Sequence, residues 1–315
     1  MPILMIFIDG LGLGSEEAQR NPLLTAKMPF MRKVLSGAPL CASSIGEGIE
    51  SSNIVIMPTD ALLNIPGLPQ SATGQTTIFT GINAAAAVGR HINGFPTPSL
   101  RKLLYDASLF KIIHEGGGKV VFANTFTHEY FETAEQGKLG HSVTTTAALA
   151  GNCRLFMPAD LLCGDSIYQD ITNEKLRERG YEVPIWKPEE AAEILMKLAA
   201  KNDFTLFEYF QTDHCGHHQD FPLAMVLLER LDRFLGTIAA GISTHSLTFI
   251  VVSDHGNIED LGVKTHTLNQ VPTLAMGKDI SLFKGIHSLL DIYPAVLDFL
   301  GIHGSQPARK ILSEN

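Results

Sequence analysis

Ile3-Leu4-Met5-Ile6-Phe7-Ile8-Asp9-Gly10-Leu11-Gly12-Leu13-Gly14 sets an unbroken apolar run against an acid and a glycine-rich turn. A run of that length without alternation reads as a strand buried on both faces, as in the middle of a parallel sheet. Asp9 then falls at its carboxyl end, where open α/β sheets place their ligands. The glycines that follow invite a dinucleotide-binding reading. Their spacing is GxGxG, not GxGxxG, and no strand ending in an acid comes about 20 residues later. They fit better as positions where backbone passes close to whatever Asp9 binds. No basic segment precedes the run, and Asp9 interrupts it too early for a secretory signal.

The same pattern returns further along. Phe204 to Phe210 reads as a strand leading into Gln211-Thr212-Asp213-His214-Cys215-Gly216-His217-His218, where Asp213 and His217 are close enough to share one ion. Leu247 to Val252 is a strand ending in Ser253-Asp254-His255-Gly256-Asn257, and His266 precedes the strand Val271 to Met276. Carboxylates and imidazoles gathered at strand ends suit Mn²⁺ or Zn²⁺. A fifth segment, Pro69-Gln70-Ser71-Ala72-Thr73-Gly74-Gln75-Thr76-Thr77-Ile78-Phe79-Thr80-Gly81, reads as a turn and then a helix stopped by Gly81, with Ile78 and Phe79 facing inward. Ser71 stands just before that helix, where unpaired N–H groups favour negative charge. Alone it would read as an N-cap serine. Four other segments that end in Asp or His change that reading toward a metal site.

Around these segments runs an αβ rhythm. Met28 to Leu35 is a short amphipathic helix and Ala38 to Ser44 an edge strand, while Asn53 to Met57 is apolar but too brief to assign. Ser99 to Glu115 has helical periodicity with Ser99 as its cap and Gly116-Gly117-Gly118 as its stop, and Val120 to Asn124 is another buried strand. From about Thr125 to Trp186 the rhythm lapses, which predicts an inserted cap over residues 126–186 between core segments 1–125 and 187–315. It resumes with a helix opening at Pro188, then a long helix from Pro222 to Ile238 and a closing one from Ser288 to Leu300. The expected fold is a doubly wound, mostly parallel α/β sheet. Arg90 and His91 follow the Ser71 helix closely enough to be candidate substrate-binding residues. His114, His128, His141, His245, His287 and His303 lack an acidic partner at a strand end and are set aside, and His214 and His218 read as solvated neighbours of His217.

Composition narrows the partners. The 315 residues are 45% hydrophobic and 18% charged, which describes a globular chain with a sizeable core. A formal charge of −9 and the absence of any Lys/Arg run argue against nucleic acid. No apolar run approaches the length of about 20 residues that spans a bilayer, which argues against a membrane partner. Cys41, Cys153, Cys163 and Cys215 show no CxxC spacing and read as reduced thiols of a cytoplasmic protein. An acidic chain can still take a small anionic substrate if metal ions reverse the local field.

Asp9-Gly10-Leu11-Gly12, Ser71-Ala72-Thr73-Gly74-Gln75, Asp213-His214-Cys215-Gly216-His217, Ser253-Asp254-His255-Gly256-Asn257 and Thr265-His266-Thr267 occur in the order found in the alkaline phosphatase superfamily. The set most resembles its branch of cofactor-independent phosphoglycerate mutases and phosphopentomutases. It covers the core on both sides of the cap. The resemblance implies a Ser or Thr nucleophile working with two divalent ions, Mn²⁺ or Zn²⁺, on a small phosphorylated substrate. It assigns Asp9, Ser71, Asp254 and His255 to one ion and Asp213, His217 and His266 to the other. Ser71 fits the nucleophile register, and Thr73 is the alternative.

Three departures bear on function. The interruption over 126–186 is smaller than the domain that the resemblance implies for the mutases. Gln75 stands where they usually carry His, and the cap holds few basic residues. No Cys-x-Pro-x-Arg occurs, which disfavours a sulfatase. These features predict a two-metal phosphohydrolase acting through a phosphoserine. A phosphomutase is the alternative, and a non-catalytic metal-binding relative comes third because the ligand set is complete.

Overall fold

The structure, a computed structural model, describes residues 1–138 and 140–302; the end of the expected second core segment, 303–315 with His303, lies outside the described residues. Seven strands form one sheet: β1 (Ile3–Ile8), β2 (Ile49–Glu50), β3 (Ile54–Thr59), β4 (Val120–Phe122), β5 (Phe204–Tyr209), β6 (Thr248–Val252) and β7 (Val271–Met276). Their order is β2-β3-β7-β6-β1-β5-β4. β4, β5, β1 and β6 pair in parallel, while β7 runs antiparallel between β6 and β3. The apolar opening run is therefore a central strand, fully buried along its length.

Strand alternation divides the core in two. Leu4, Ile6 and Ile8 face a layer that includes the helices Pro29–Val34, Pro188–Ala199 and Phe221–His245. Ile3, Met5 and Phe7 face the helices Ser71–Thr80, Pro98–Ala107, Leu109–Glu115, Val143–Ala150 and Leu289–Phe299. Helices on both faces make the sheet doubly wound.

The Ser71 helix is buried at all of its residues despite its polar composition. It tolerates this because Thr76, Thr77 and Thr80 donate their hydroxyls back to the carbonyls of Ala72, Thr73 and Thr76 at 2.6, 2.8 and 2.6 Å. Gly81 closes it in the left-handed region at φ 67°, where a Cβ would strike the Tyr293 ring.

Three local readings are corrected and one stretch left unassigned takes a state. Ala38 to Ser44 holds no strand: Ala42–Ile45 is a helical turn, and the edge strand is β2. Ser43 and Ser44 hydroxyls lie 3.3 and 3.1 Å from the Cys41 sulfur, local bonds that compete with extended pairing. Ser99 to Glu115 is two helices, because Ser108 is extended and caps the second by accepting from the Lys111 N–H, while Thr97 caps the first. The unassigned stretch Asn53 to Met57 falls in β3 from Ile54 onward. The long helix runs past Ile238 to His245.

Residues 126–186 contribute no strand to the sheet among the described residues; they carry short helices such as His128–Glu135, Pro158–Leu162 and Glu174–Glu178. Leu161, Tyr168, Leu176 and Val183 form a small cluster of their own, whereas Val143, Ala147 and Ala148 pack into the main core.

Candidate metal centre

The candidate residues meet at the carboxyl ends of β1, β5 and β6. Asp9 continues β1, with its N–H donating to the Tyr209 carbonyl at 3.0 Å. Asp254 follows β6 and is fully buried, and the Gly10 N–H donates to its Oδ1 at 3.4 Å. Asp213 is not at a strand end. It sits in the first turn of a helix, Gln211–His218, that starts just after β5, so Asp213 and His217 share one helix face. Gly216 in that helix lies against Asn257, where a Cβ would overlap the amide. Asn257 Nδ2 in turn donates to Asp213 Oδ1 at 2.6 Å.

Two groups of ligand atoms result: Asp213, His217 and His266, and Asp9, Asp213 and His255, each with its atoms within 4.8 Å of one another. Asp213 belongs to both. Its Oδ2 lies 3.3 Å from His217 Nε2 and its Oδ1 3.5 Å from His266 Nε2. His255 Nε2 lies 3.3 Å from Asp9 Oδ1, 3.5 Å from Asp254 Oδ2 and 3.0 Å from Ser71 Oγ. His255 and His266 stack with ring centroids 3.6 Å apart.

The donor set fits a cation. His217 Nδ1 lies 2.7 Å from the Lys264 carbonyl, and His266 Nδ1 lies 2.8 Å from the Pro69 carbonyl. Only a protonated Nδ1 makes those bonds, which leaves the Nε2 lone pairs of the neutral rings facing each other at 3.2 Å. Asp9 Oδ1 is buried with no hydrogen-bond donor. No Lys or Arg among the described residues pairs with Asp9, Asp213 or Asp254; their ion-pair contacts are with histidines alone. Burial and the charge of Asp9 push the Asp254 carboxyl well above the usual range. Burial opposes the charge on His255, yet Asp254 and Asp9 outweigh it and hold that imidazole up at about 10. Burial likewise works against the Asp213 carboxylate, and His266, His255 and Asn257 still hold it well below the carboxylate range. Each shift expresses one demand, for positive charge at this spot.

Two further side chains build the site: Gln75, which the sequence marks only as a departure from the mutase pattern, and Glu259, which the sequence does not single out. Gln75 donates from Nε2 to Asp9 Oδ2 at 3.1 Å and Asp254 Oδ2 at 3.0 Å, bridging two carboxylates with one amide. Glu259, buried, accepts from the N–H groups of Gly12 and Asn257 at 3.0 and 2.7 Å and from Thr267 and Asn269 side chains at 2.5 and 3.1 Å. It ties together the loops that carry Asp9, Asp254 and His266. Gly12 lets that carboxylate come close, since a Cβ there would overlap it.

Ser71 begins its helix, so its N–H and that of Ala72 have no acceptor within the helix. Its hydroxyl lines a cavity of about 710 Å³ together with Asp9, Asp213 and His217. Thr73 is fully buried; its hydroxyl donates to the Gln70 carbonyl at 3.2 Å and accepts from the Ile92 N–H at 3.2 Å, outside the cavity lining. Arg90 is exposed, and His91 Nε2 lies 3.2 Å from the Ile65 carbonyl. Neither lines the cavity; the neighbouring Asn93, Gly94 and Phe95 do. Lys175 and Arg179, from within 126–186, also line it.

Comparison with known proteins shows what the chain and its fold are similar to. A family model described as "Metalloenzyme superfamily" matches residues 174–303, the part that carries Asp213, His217, Asp254, His255 and His266. The fold is similar over 96% of the chain to that of the alkaline phosphatase from the Antarctic bacterium TAB5, covering 99% of that chain at 13% identity and a TM-score of 0.50. The fold and the family match agree with the resemblance to the alkaline phosphatase superfamily read from the motifs. In sequence, the chain is similar to curated 2,3-bisphosphoglycerate-independent phosphoglycerate mutases. That of Malacoplasma penetrans (strain HF-2) is 27% identical over 270 residues, 81% of this chain and 50% of the relative. That of Desulforudis audaxviator (strain MP104C) is 32% identical over 149 residues, 42% and 29% respectively. The matches thus span about half the length of those relatives or less. The PH0037 protein of Pyrococcus horikoshii shares the fold over 96% of this chain and 98% of its own, at 17% identity and a TM-score of 0.56. The metalloenzyme match and the two groups of ligand atoms together point to divalent metal ions as the cofactor class. No helix among the described residues is long and apolar enough to cross a membrane.

Proposed function

We propose that this chain is a metal-dependent phosphoryl-transfer enzyme that hydrolyses a small phosphate ester through a phosphoserine at Ser71. The observation that carries the reading is the place of the Ser71 hydroxyl. It stands at a helix start, 3.0 Å from His255 Nε2, on the wall of a cavity shared with Asp9, Asp213 and His217. Asp9, Ser71, Asp254 and His255 would hold one divalent ion, and Asp213, His217 and His266 the other. Bound there, Mn²⁺ or Zn²⁺ would supply Lewis acidity, lowering the pKa of the serine hydroxyl and neutralising phosphoryl oxygens.

The chain's own residues do the rest. Ser71 Oγ forms the bond to phosphorus as the ester oxygen leaves, its proton passing to solvent while the leaving alkoxide takes one from water. Water then attacks the phosphoserine and releases phosphate, restoring the hydroxyl. The open N–H groups at the start of the Ser71 helix favour the transferred group's negative charge. Residues 126–186 would close over the group that leaves.

The kinship with phosphoglycerate mutases favours a second reading, in which the phosphoryl group passes to another hydroxyl of the same substrate. Incubating the Mn²⁺- and Zn²⁺-loaded protein with a panel of phosphomonoesters, and following phosphate release and positional isomers together, tests both. Phosphate release that Ser71→Ala abolishes supports hydrolysis, and isomers without free phosphate support the mutase. Neither product from any ester, with metal bound, overturns the proposal.

A further inference from the structure

On β5, Phe204 and Leu206 face the layer of the Ser71 helix, and the next residue on that face is Glu208. A carboxyl thus occupies a position where the strand's own pattern calls for an apolar side chain. Glu208 is only 9% exposed. Its backbone is held from both sides by the Asn124 side chain, which accepts from the Glu208 N–H at 2.9 Å and donates to its carbonyl at 2.8 Å. One carboxyl oxygen, Oε2, accepts from the Thr144 hydroxyl at 2.8 Å. The other, Oε1, takes no hydrogen bond from any described residue, and no Lys, Arg or His among them stands within ion-pairing distance. The side chain lines the same cavity as Ser71 and Asp9.

Register sets its distance from the chemistry. Glu208 pairs with Phe7 on β1, and Asp9 projects from the same face two residues further on. That separation is about 7 Å along the strand direction. A phosphoryl group held at Asp9 and Ser71 would therefore present the first few atoms of its organic part to Glu208. Glu208 Oε1 opens onto the cavity, where water or a donor on a ligand can reach it, and a ligand that displaces the water without replacing its hydrogen bond leaves that oxygen unsatisfied at a cost.

We infer that Glu208 is the specificity residue of this site, accepting a hydrogen bond from a hydroxyl or ammonium group two or three bonds beyond the ester oxygen of the substrate. The inference rests on the phosphoryl-transfer reading for the position of the phosphate. It adds a class of substrate: phosphate esters whose organic part carries a donor near the phosphorus. Simple alkyl or aryl phosphates lack one.

Binding tests this without turnover. Ser71→Ala protein loaded with Mn²⁺ is titrated by calorimetry with inorganic phosphate, 2-hydroxyethyl phosphate, 2-aminoethyl phosphate and n-propyl phosphate. The last matches the others in size and has no donor. Burial pushes the Glu208 carboxyl up to about 8, so the titrations are run at about pH 9, where at least one donor-bearing ester is expected to bind about tenfold or more tightly than n-propyl phosphate, as one hydrogen bond to a charged group gives. Which of the two it is separates a hydroxyl from an ammonium substrate. In Glu208→Leu the preference should vanish while inorganic phosphate binds as before. Glu208→Gln, nearly isosteric, should lose an ammonium preference and keep part of a hydroxyl preference, and it serves if the leucine variant does not fold. Equal binding of the three esters, or a preference that survives both variants, overturns the assignment to Glu208 and leaves the phosphoryl site standing. Absence of inorganic phosphate binding sinks the phosphoryl reading itself.

Discussion

Asn257 donates its amide to Asp213 at 2.6 Å, and Asp213 is the one residue common to both groups of ligand atoms. The bond joins the loop after β6 to the helix after β5 and fixes which way the Asp213 carboxylate points. Asn257→Ala should lower affinity for Mn²⁺ or Zn²⁺ by about 10- to 100-fold, the usual effect of removing a group that orients a ligand. Metal titrations of both proteins measure it, and unchanged affinity would show that the amide does not orient the carboxylate.

Ser71 and Thr73 should separate cleanly. Ser71→Ala is expected to lose turnover by several powers of ten, as nucleophile removals do, with its fold intact. The Thr73 hydroxyl makes only internal bonds, to Gln70 and Ile92. Thr73→Ala should therefore lower stability by about 1 kcal/mol and keep most activity. Rates and melting temperatures of the two variants check this; a dead Thr73→Ala beside an active Ser71→Ala would reverse the roles.

Metal affinity should rise with pH. Asp254 and His255 both hold their protons to higher pH than usual, His255 to about 10. An ion must displace those protons to bind, so its apparent dissociation constant falls as pH climbs toward that value. The slope should reach up to about tenfold per pH unit for each proton displaced. Mn²⁺ titrations at pH 6, 7 and 8 with proton release followed in parallel test the sign, and a flat profile would contradict it.

Glu259 accepts from four donors with two oxygens, two at each. Glu259→Gln puts an N–H₂ against the Gly12 and Asn257 N–H groups in one orientation and against the Asn269 amide in the other, where only the Thr267 hydroxyl can turn to accept. The expected loss is about 1–3 kcal/mol of stability, together with weaker metal binding, because the loops of Asp9 and His266 lose their common anchor. Denaturant melts of the metal-free protein isolate the first effect. A stability equal to that of the native chain would mean the four bonds are dispensable.

How far the sequence foretold this site depended on whether a residue's role could be read locally. β1 is an unbroken apolar run and β5 and β6 are mostly apolar, and the acids and histidines after them stand out for that reason. The Ser71 helix announced its stop through Gly81. Glu208 and Glu259 could not be weighed in the same way, because a buried carboxyl has meaning only through its partners. The carboxyl's partner lies at Thr144 for one, and at Gly12, Asn257, Thr267 and Asn269 for the other. A signal for Glu208 was nonetheless present, as an acid interrupting the face set by Phe204 and Leu206. Asp213 was placed at a strand end when it begins a helix, since the helix after β5 follows with no intervening turn residues. Arg90 was singled out for its closeness in sequence to Ser71, and the chain turns it to solvent while Asn93 to Phe95 face the cavity.

The central position of β1 also has a consequence for the order of events during synthesis. Its two neighbours are β5 and β6, so the first strand to be made has no lateral partner until residues 204–209 and 248–252 exist. Such long-range pairing is slow to form and leaves apolar strand edges open meanwhile. Asp9 waits equally long for Asp254, His255 and His266. A nascent chain stopped before the β6 loop would hold helices and hairpins but no complete ion site. Metal loading should therefore be among the last steps of maturation and report that the whole sheet has closed.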